Sequence, residues 1–151
     1  MSDLYDTYIA VKPDWINPVD GTVTSLFGNR INPVTNMREF HNGVDIAVPV
    51  GTPVLAVRYA TVYHVGYTAL NGIYMRLRCN DGYHFVFAHL SEAVAGVGDE
   101  VYQGQKVALS GNTGQSTGPH LHYGISREGE RLNPLYKVNL ELSAAAEYAL
   151  R

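Results

Sequence analysis

Residues 72–89 read Gly72-Ile73-Tyr74-Met75-Arg76-Leu77-Arg78-Cys79-Asn80-Asp81-Gly82-Tyr83-His84-Phe85-Val86-Phe87-Ala88-His89. Ile73, Met75, Leu77 and Cys79 alternate with Tyr74, Arg76 and Arg78, the period of two that a half-buried strand requires. Asp81-Gly82 then supplies a turn and residues 83–88 return, so the stretch reads as a β-hairpin. In the returning strand Tyr83, Phe85, Phe87 and His89 share a face, which puts His89 at the end of an aromatic row. From Val19 onward turn signals of the same kind recur about every ten residues. They are Asp20-Gly21, Asn42-Gly43, Val50-Gly51, Asn71-Gly72, Val97-Gly98, Gln103-Gly104, residues 111–114 and Glu128-Gly129. Such spacing is the signature of an all-β sandwich or barrel of short strands, and an antiparallel β-sheet sandwich is the fold expected.

The chain has 151 residues, the size of one domain, and its apolar share of 46% is enough for a core. Fifteen glycines and 7 prolines favour tight turns over a helical bundle. A net charge of −3 leaves no basic field for phosphate backbones, so nucleic acid is excluded as a partner. Cys79 stands alone and forms no internal disulfide; it reads as a small buried hydrophobe. No apolar run is long enough to span a membrane, and the first fifteen residues carry acids where a secretory signal carries Lys or Arg. The chain is therefore expected to be soluble, without an export signal. Residues 1–18 are expected to be a leader lying on the surface, residues 19–137 the domain, and residues 138–151 a tail. Within that tail residues 143–150 are alanine-rich and read as a short helix.

Six histidines occur, and the informative ones stand in tight motifs: His41-Asn42-Gly43-Val44-Asp45, Phe87-Ala88-His89-Leu90 and Gly118-Pro119-His120-Leu121-His122. On an extended strand His41 and Asp45 would lie about 13 Å apart, too far to share a metal ion. Asn42-Gly43 is the dipeptide that most readily turns the chain back between them, because both residues tolerate positive φ. His120 and His122 project to one side of a strand, with Leu121 opposite. A chemically active zinc keeps three protein ligands and an open position. His41, Asp45 and one of His120 and His122 would complete such a site. The histidine left over, together with His89, would be free to handle protons. His64 and His84 lack an acidic or histidine partner at ligand spacing and read as structural. Any one of the 11 tyrosines reads first as a strand residue.

The ordered set of motifs resembles the lysostaphin-type, or LytM-like, zinc metalloendopeptidases that cut peptide bridges in bacterial peptidoglycan. The resemblance runs from Phe27-Gly28-Asn29-Arg30-Ile31-Asn32-Pro33 through the His41 motif, Gly51-Thr52-Pro53-Val54 and Phe87-Ala88-His89-Leu90-Ser91. It continues through Gly111-Asn112-Thr113-Gly114, the His120 motif and Asn133-Pro134. It implies an antiparallel β fold with a narrow groove over a zinc ion held by His41, Asp45 and His122. It also implies His120 as the general base and His89 as the group that stabilises the tetrahedral intermediate. Residues 113–117 would form a loop beside the groove. Phe87 departs from the tyrosine often found there, and residues 67–74 follow the pattern only loosely. The resemblance implies peptidoglycan as the substrate and requires no obligate protein partner or membrane. A chain without a signal would reach the wall as a phage lysin released at lysis or carried in the particle, or after a signal has been removed. Two other readings compete. One is a non-catalytic LytM-like wall-binding or regulatory module, which would show lost ligands. The other is a biotinyl or lipoyl carrier, which would need Lys106 at a hairpin tip.

Overall fold

The computed structural model describes residues 14–150. Twelve short strands follow one another: β1 (Thr22–Ser25), β2 (Gly28–Ile31), β3 (Arg38–His41), β4 (Val44–Ala47), β5 (Pro53–Leu55) and β6 (Ala60–Thr68) come first. They continue as β7 (Gly72–Arg78), β8 (Tyr83–Ala93), β9 (Glu100–Val101), β10 (Lys106–Ser110), β11 (Leu121–Arg127) and β12 (Glu130–Leu132). A 3-10 turn (Pro134–Lys137) and the helix α1 (Ala144–Leu150) close the chain. Every pairing between named strands is antiparallel, as the turn spacing predicts. Ten strands share one sheet whose main path is β1-β4-β11-β8-β7-β6-β9, while β2 and β3 form a separate hairpin.

The hairpin read from residues 72–89 is present as β7 and β8. Cys79 N–H donates to Tyr83 O at 2.8 Å, and Gly82 takes φ +91°, a conformation that costs a residue without a Cβ little. Met75, Leu77, Phe85 and Phe87 point into the core and are fully or almost fully buried, alongside Ile46, Val54, Leu121 and Tyr123. Each such side chain contributes about 1.5–3 kcal/mol on leaving water. Arg76 and Arg78 face outward.

β8 is the long strand on which the sheet branches. Its first half lies between β7 and β11, and residues 90–93 pass to β10. Lys106 opens β10 opposite Leu55 instead of standing at a hairpin tip, which removes the carrier reading.

The expected surface leader differs from what is found. Residues 1–13 lie outside the described residues, but Trp15 is only 6% exposed and packs edge-on against Tyr83 at 5.2 Å between ring centres. The Arg58 guanidinium covers its ring at 5.0 Å. An indole exposes too much apolar area to be left in water, so it anchors the entry segment to the core. The tail is packed as well: Val23 N–H donates to Glu141 O, and Ser143 N–H to Val23 O, each at 2.9 Å. The terminal helix forms where alanine richness predicts it. Ser143 caps it, its hydroxyl accepting from Ala146 N–H at 3.1 Å.

Candidate active site

All five residues singled out by the three motifs meet in one groove of about 590 Å³. The register of β4 against β11 sets Asp45 directly across from His122, so both side chains leave the same face of the sheet. His41 comes from the end of β3. Three atoms then converge: His41 Nε2 lies 3.3 Å from Asp45 Oδ1, His122 Nδ1 lies 3.2 Å from the same oxygen, and the two nitrogens are 3.2 Å apart. Ligands on a tetrahedral zinc with bonds near 2.1 Å stand about 3.4 Å from one another. This near-equilateral triangle therefore fits one face of that tetrahedron and leaves the fourth corner open. Among the described residues it is the one set of three such side chains close enough to hold an ion.

The partners behind the triangle fix its chemistry. Leu26 O accepts a hydrogen bond from His41 Nδ1 at 2.9 Å, which leaves the Nε2 lone pair aimed at the triangle. Arg30 Nη1 donates to Asp45 Oδ2 at 3.1 Å and to Ser25 Oγ at 2.7 Å. Burial opposes ionisation of Asp45, yet the His122 and His41 imidazoles facing its Oδ1 outweigh it and hold the carboxyl far below the usual carboxylate range. Burial lowers the His122 pKa, keeping the ring neutral as a ligand must be.

The two remaining imidazoles share one design. His120 donates from Nδ1 to Gly118 O at 2.8 Å, with Ser116 Oγ at 3.1 Å, and its Nε2 lies 3.6 Å from Asp45 Oδ1. His89 donates from Nδ1 to Thr113 O at 2.7 Å, and its ring centre is 4.8 Å from that of His120. In each neutral ring the free nitrogen, Nε2, is a proton acceptor. Burial pushes the His89 pKa from 6.5 down to about 4.

Two expectations about local geometry are corrected. His89 does not continue the row of Phe85 and Phe87. Between the pairs Met75↔Phe87 and Ile73↔Leu90, β8 holds one residue more than β7, a bulge at Ala88 and His89. His89 takes φ +60° there and turns from the core face, where Phe87 and Leu90 remain, to the groove. Asn42-Gly43 is likewise not a hairpin turn, since β3 pairs with β2 whereas β4 pairs with β1 and β11. Neither Asn42 nor Gly43 has a positive φ. The glycine answers a different need: a Cβ at residue 43 would lie 2.8 Å from His122 Cε1 and collide with the Tyr123 carbonyl. His64 and His84 stay outside the cluster, bonded to Tyr74 Oη at 2.8 Å and to Tyr63 Oη at 3.1 Å.

With that geometry in place, comparison with known proteins is decisive. Residues 39–134 match the sequence profile of peptidase family M23. The chain belongs to peptidase family M23. Among relatives of this M23 chain, the peptidoglycan DD-endopeptidase ShyA of Vibrio cholerae is 36% identical over 131 residues, 85% of this chain and 30% of that protein. A zinc-containing peptidase from Vibrio cholerae superposes with a TM-score of 0.70 at 34% identity, over 82% of this chain and 39% of that one. The catalytic domain of lysostaphin from Staphylococcus simulans gives a TM-score of 0.71 at 30% identity, over 77% of this chain and 90% of that one. The M23 chain spans about a quarter to a third of the length of the curated relatives it matches.

Sequence reasoning missed the supporting partners of the M23 site. Arg30 belongs to a quoted motif, but nothing in its spacing reveals a bond to Asp45. Thr113 was visible only as part of a loop. Its carbonyl fixes His89, while its hydroxyl donates to Leu90 O at 2.6 Å and accepts from Ile73 N–H at 3.1 Å. The one signal for it was Asn71-Gly72, because a Cβ at Gly72 would collide with Thr113.

Proposed function

We propose that this chain is a zinc-dependent endopeptidase that hydrolyses peptide cross-links of bacterial peptidoglycan, with His41, Asp45 and His122 as ligands. The carrying observation is the triangle of donor atoms at tetrahedral spacing with two further imidazoles beside it. When bound, zinc supplies the Lewis acidity that polarises the scissile carbonyl and acidifies the attacking water. His120 Nε2 takes the proton from that water, and Gly118 O stabilises the resulting imidazolium through Nδ1–H. The C–N bond then breaks and the proton passes to the leaving amine. His89 takes a proton from solvent at Nε2 as negative charge develops on the neighbouring oxygen, and donates it to that oxygen in a hydrogen bond. The peptide backbone lies along the groove between the β2–β3 hairpin and residues 115–120, whose side chains line its walls.

Names of relatives support peptidoglycan as the substrate, among them the Vibrio cholerae DD-endopeptidases and lysostaphin. The wall-binding alternative expects lost ligands, and all five positions are filled here. In the phage-lysin form of this reading, the enzyme reaches the wall by release at lysis or by carriage in a particle. The deciding experiment digests purified sacculi with zinc-loaded and chelated protein. New amino termini released only by the zinc-loaded form support the proposal, and equal release by both forms refutes it.

A further inference from the structure

The groove does not stop at the metal triangle. Asn42, Asn71 and His122 line it and also line a second hollow of about 120 Å³ farther along the same face of the sheet. Gly124 floors the passage, two residues beyond His122 on β11. A Cβ there would stand 2.9 Å from Val86 Cγ1 and 3.2 Å from Asn42 O, so any side chain would crowd it. The far end is closed by His84 and Tyr63, joined at 3.1 Å.

Charge distinguishes this hollow from the rest of the molecule. The chain carries a net −3, yet no acidic residue lines the hollow, whereas Arg76 and Arg131 both do. They approach from opposite sides. Arg76 stands on β7, outside β8, and Arg131 on β12, outside β11. Both are exposed, and among the described residues neither has a carboxylate within 4 Å. Arg30 and Arg58, by contrast, are each paired with an acid. Arg78, opposite His84 in the register, adds a third positive charge beside the hollow.

We propose that this hollow is a carboxylate-binding subsite, which makes the enzyme select peptides bearing free carboxyl groups over neutral ones. Arg76 is level with Gly124 and Arg131 with Ser126, two and four residues along β11 from His122. At about 3.3 Å per residue the guanidinium groups reach carboxylates roughly two to four residues from the scissile bond. A planar guanidinium holds a carboxylate by two parallel hydrogen bonds, and a groove wall screens that pair less than open water does. Cross-linked stem peptides with free side-chain or α-carboxyl groups fit this subsite. The interior of an oligoglycine bridge, with none, does not. The inference rests on the peptidase reading and names its substrate class.

Zinc-loaded His120→Ala protein, expected to bind substrate while turning it over more slowly by roughly 10²-fold or more, tests the subsite by calorimetric titration. The probes are a synthetic cross-linked stem peptide with free carboxyl groups and the same peptide with those groups amidated. The free form is expected to bind about tenfold more tightly at low salt, the effect of one or two charge-assisted contacts. The preference should shrink as sodium chloride rises. Arg76→Gln combined with Arg131→Gln should erase it. Equal affinity of the two probes, a salt-independent preference, or no binding of either overturns the inference. Discrimination between the probes without cleavage by the unmutated enzyme would instead overturn the peptidase reading and leave the subsite standing.

Discussion

Arg30 Nη1 donates to Asp45 Oδ2 at 3.1 Å, on the carboxylate oxygen that His41 and His122 leave free. One side chain thereby restrains the rotation of Asp45, a ligand in the proposed site, from β2, a strand outside the main sheet. Glu39 holds the guanidinium from its other side at 3.0 Å. Outer partners of metal ligands typically change affinity by about 10- to 100-fold. Arg30→Ala is expected to weaken zinc binding within that range in competition with a chromogenic chelator, and Arg30→Lys to recover only part, since an ammonium cannot bridge Asp45, Ser25 and Glu39 together. Unchanged zinc affinity in Arg30→Ala would remove this role.

The five site residues divide into two groups with opposite expected phenotypes. His41→Ala and Asp45→Ala each delete one corner of the triangle, so both should lose zinc and wall hydrolysis together. His120→Ala and His89→Ala leave the triangle intact. They should keep about one zinc per chain by metal analysis while turnover falls by roughly 10²-fold or more. Loss of zinc from His120→Ala would mean that the roles of His120 and His122 are exchanged.

His89 holds φ +60°, which non-glycine residues adopt at a cost of about 1–2 kcal/mol. The strain is what turns the ring from the core to the groove. A glycine at this position relieves it and an alanine does not. His89→Gly and His89→Ala should both lose turnover, but His89→Gly should unfold at the higher temperature, by about 1 kcal/mol in stability. The reverse order in thermal melts would show that the bulge is not strained.

How far the sequence exposes this architecture depends on the range of the signal. Alternation in residues 72–89 predicts β7 and β8 because side chains on a strand change face with every residue. Ser143 and the alanines after it predict the helix. The convergence of His41, Asp45, His120 and His122 is legible from spacing and resemblance, since each motif carries its polar side chains within a few residues. The bulge at His89 is not, because it exists only as a mismatch between β8 and β7, whose register no local pattern encodes. The burial of Trp15, within the segment expected on the surface, is hidden for a similar reason: its partners Tyr83, Phe85 and Arg58 lie dozens of residues away. Arg30 looks like any surface arginine until β2 folds beside Asp45.

The metal-free protein should be acid-sensitive at mild pH. His89, at about 4, and His122 both have folded pKa values below the ordinary 6.5, chiefly through burial. Between those values the unfolded chain binds more protons than the folded one, so stability rises with pH in that window. It is complete above about pH 6.5 and is lost as the pH falls toward 4. Asp45 has the same sign but acts only below its ordinary 3.8. Urea midpoints of chelated protein should fall from pH 7 to pH 5, and His89→Asn should flatten the decline. A constant midpoint across that range contradicts the burial of these rings.

Gly43 is expected to be irreplaceable for a steric reason, not a conformational one. Its φ is not positive, so Gly43→Ala meets no left-handed backbone strain. The added methyl would nevertheless meet His122 Cε1 and Nε2 at 2.8 and 2.9 Å and run into the carbonyl of Tyr123. Tyr123 is paired to Val44 on one side and to Phe87 on the other, so the backbone yields only by shifting the sheet at β11. That shift, together with displacement of the imidazole, carries His122 Nδ1 out of the triangle. Overpacking of this kind costs about 1–3 kcal/mol, so the variant should still fold, with a lowered melting temperature. Its zinc affinity should fall by at least tenfold in chelator competition, with wall hydrolysis reduced in step. A Gly43→Ala protein that binds zinc as tightly as the unmutated chain would show that His122 is not positioned by this contact.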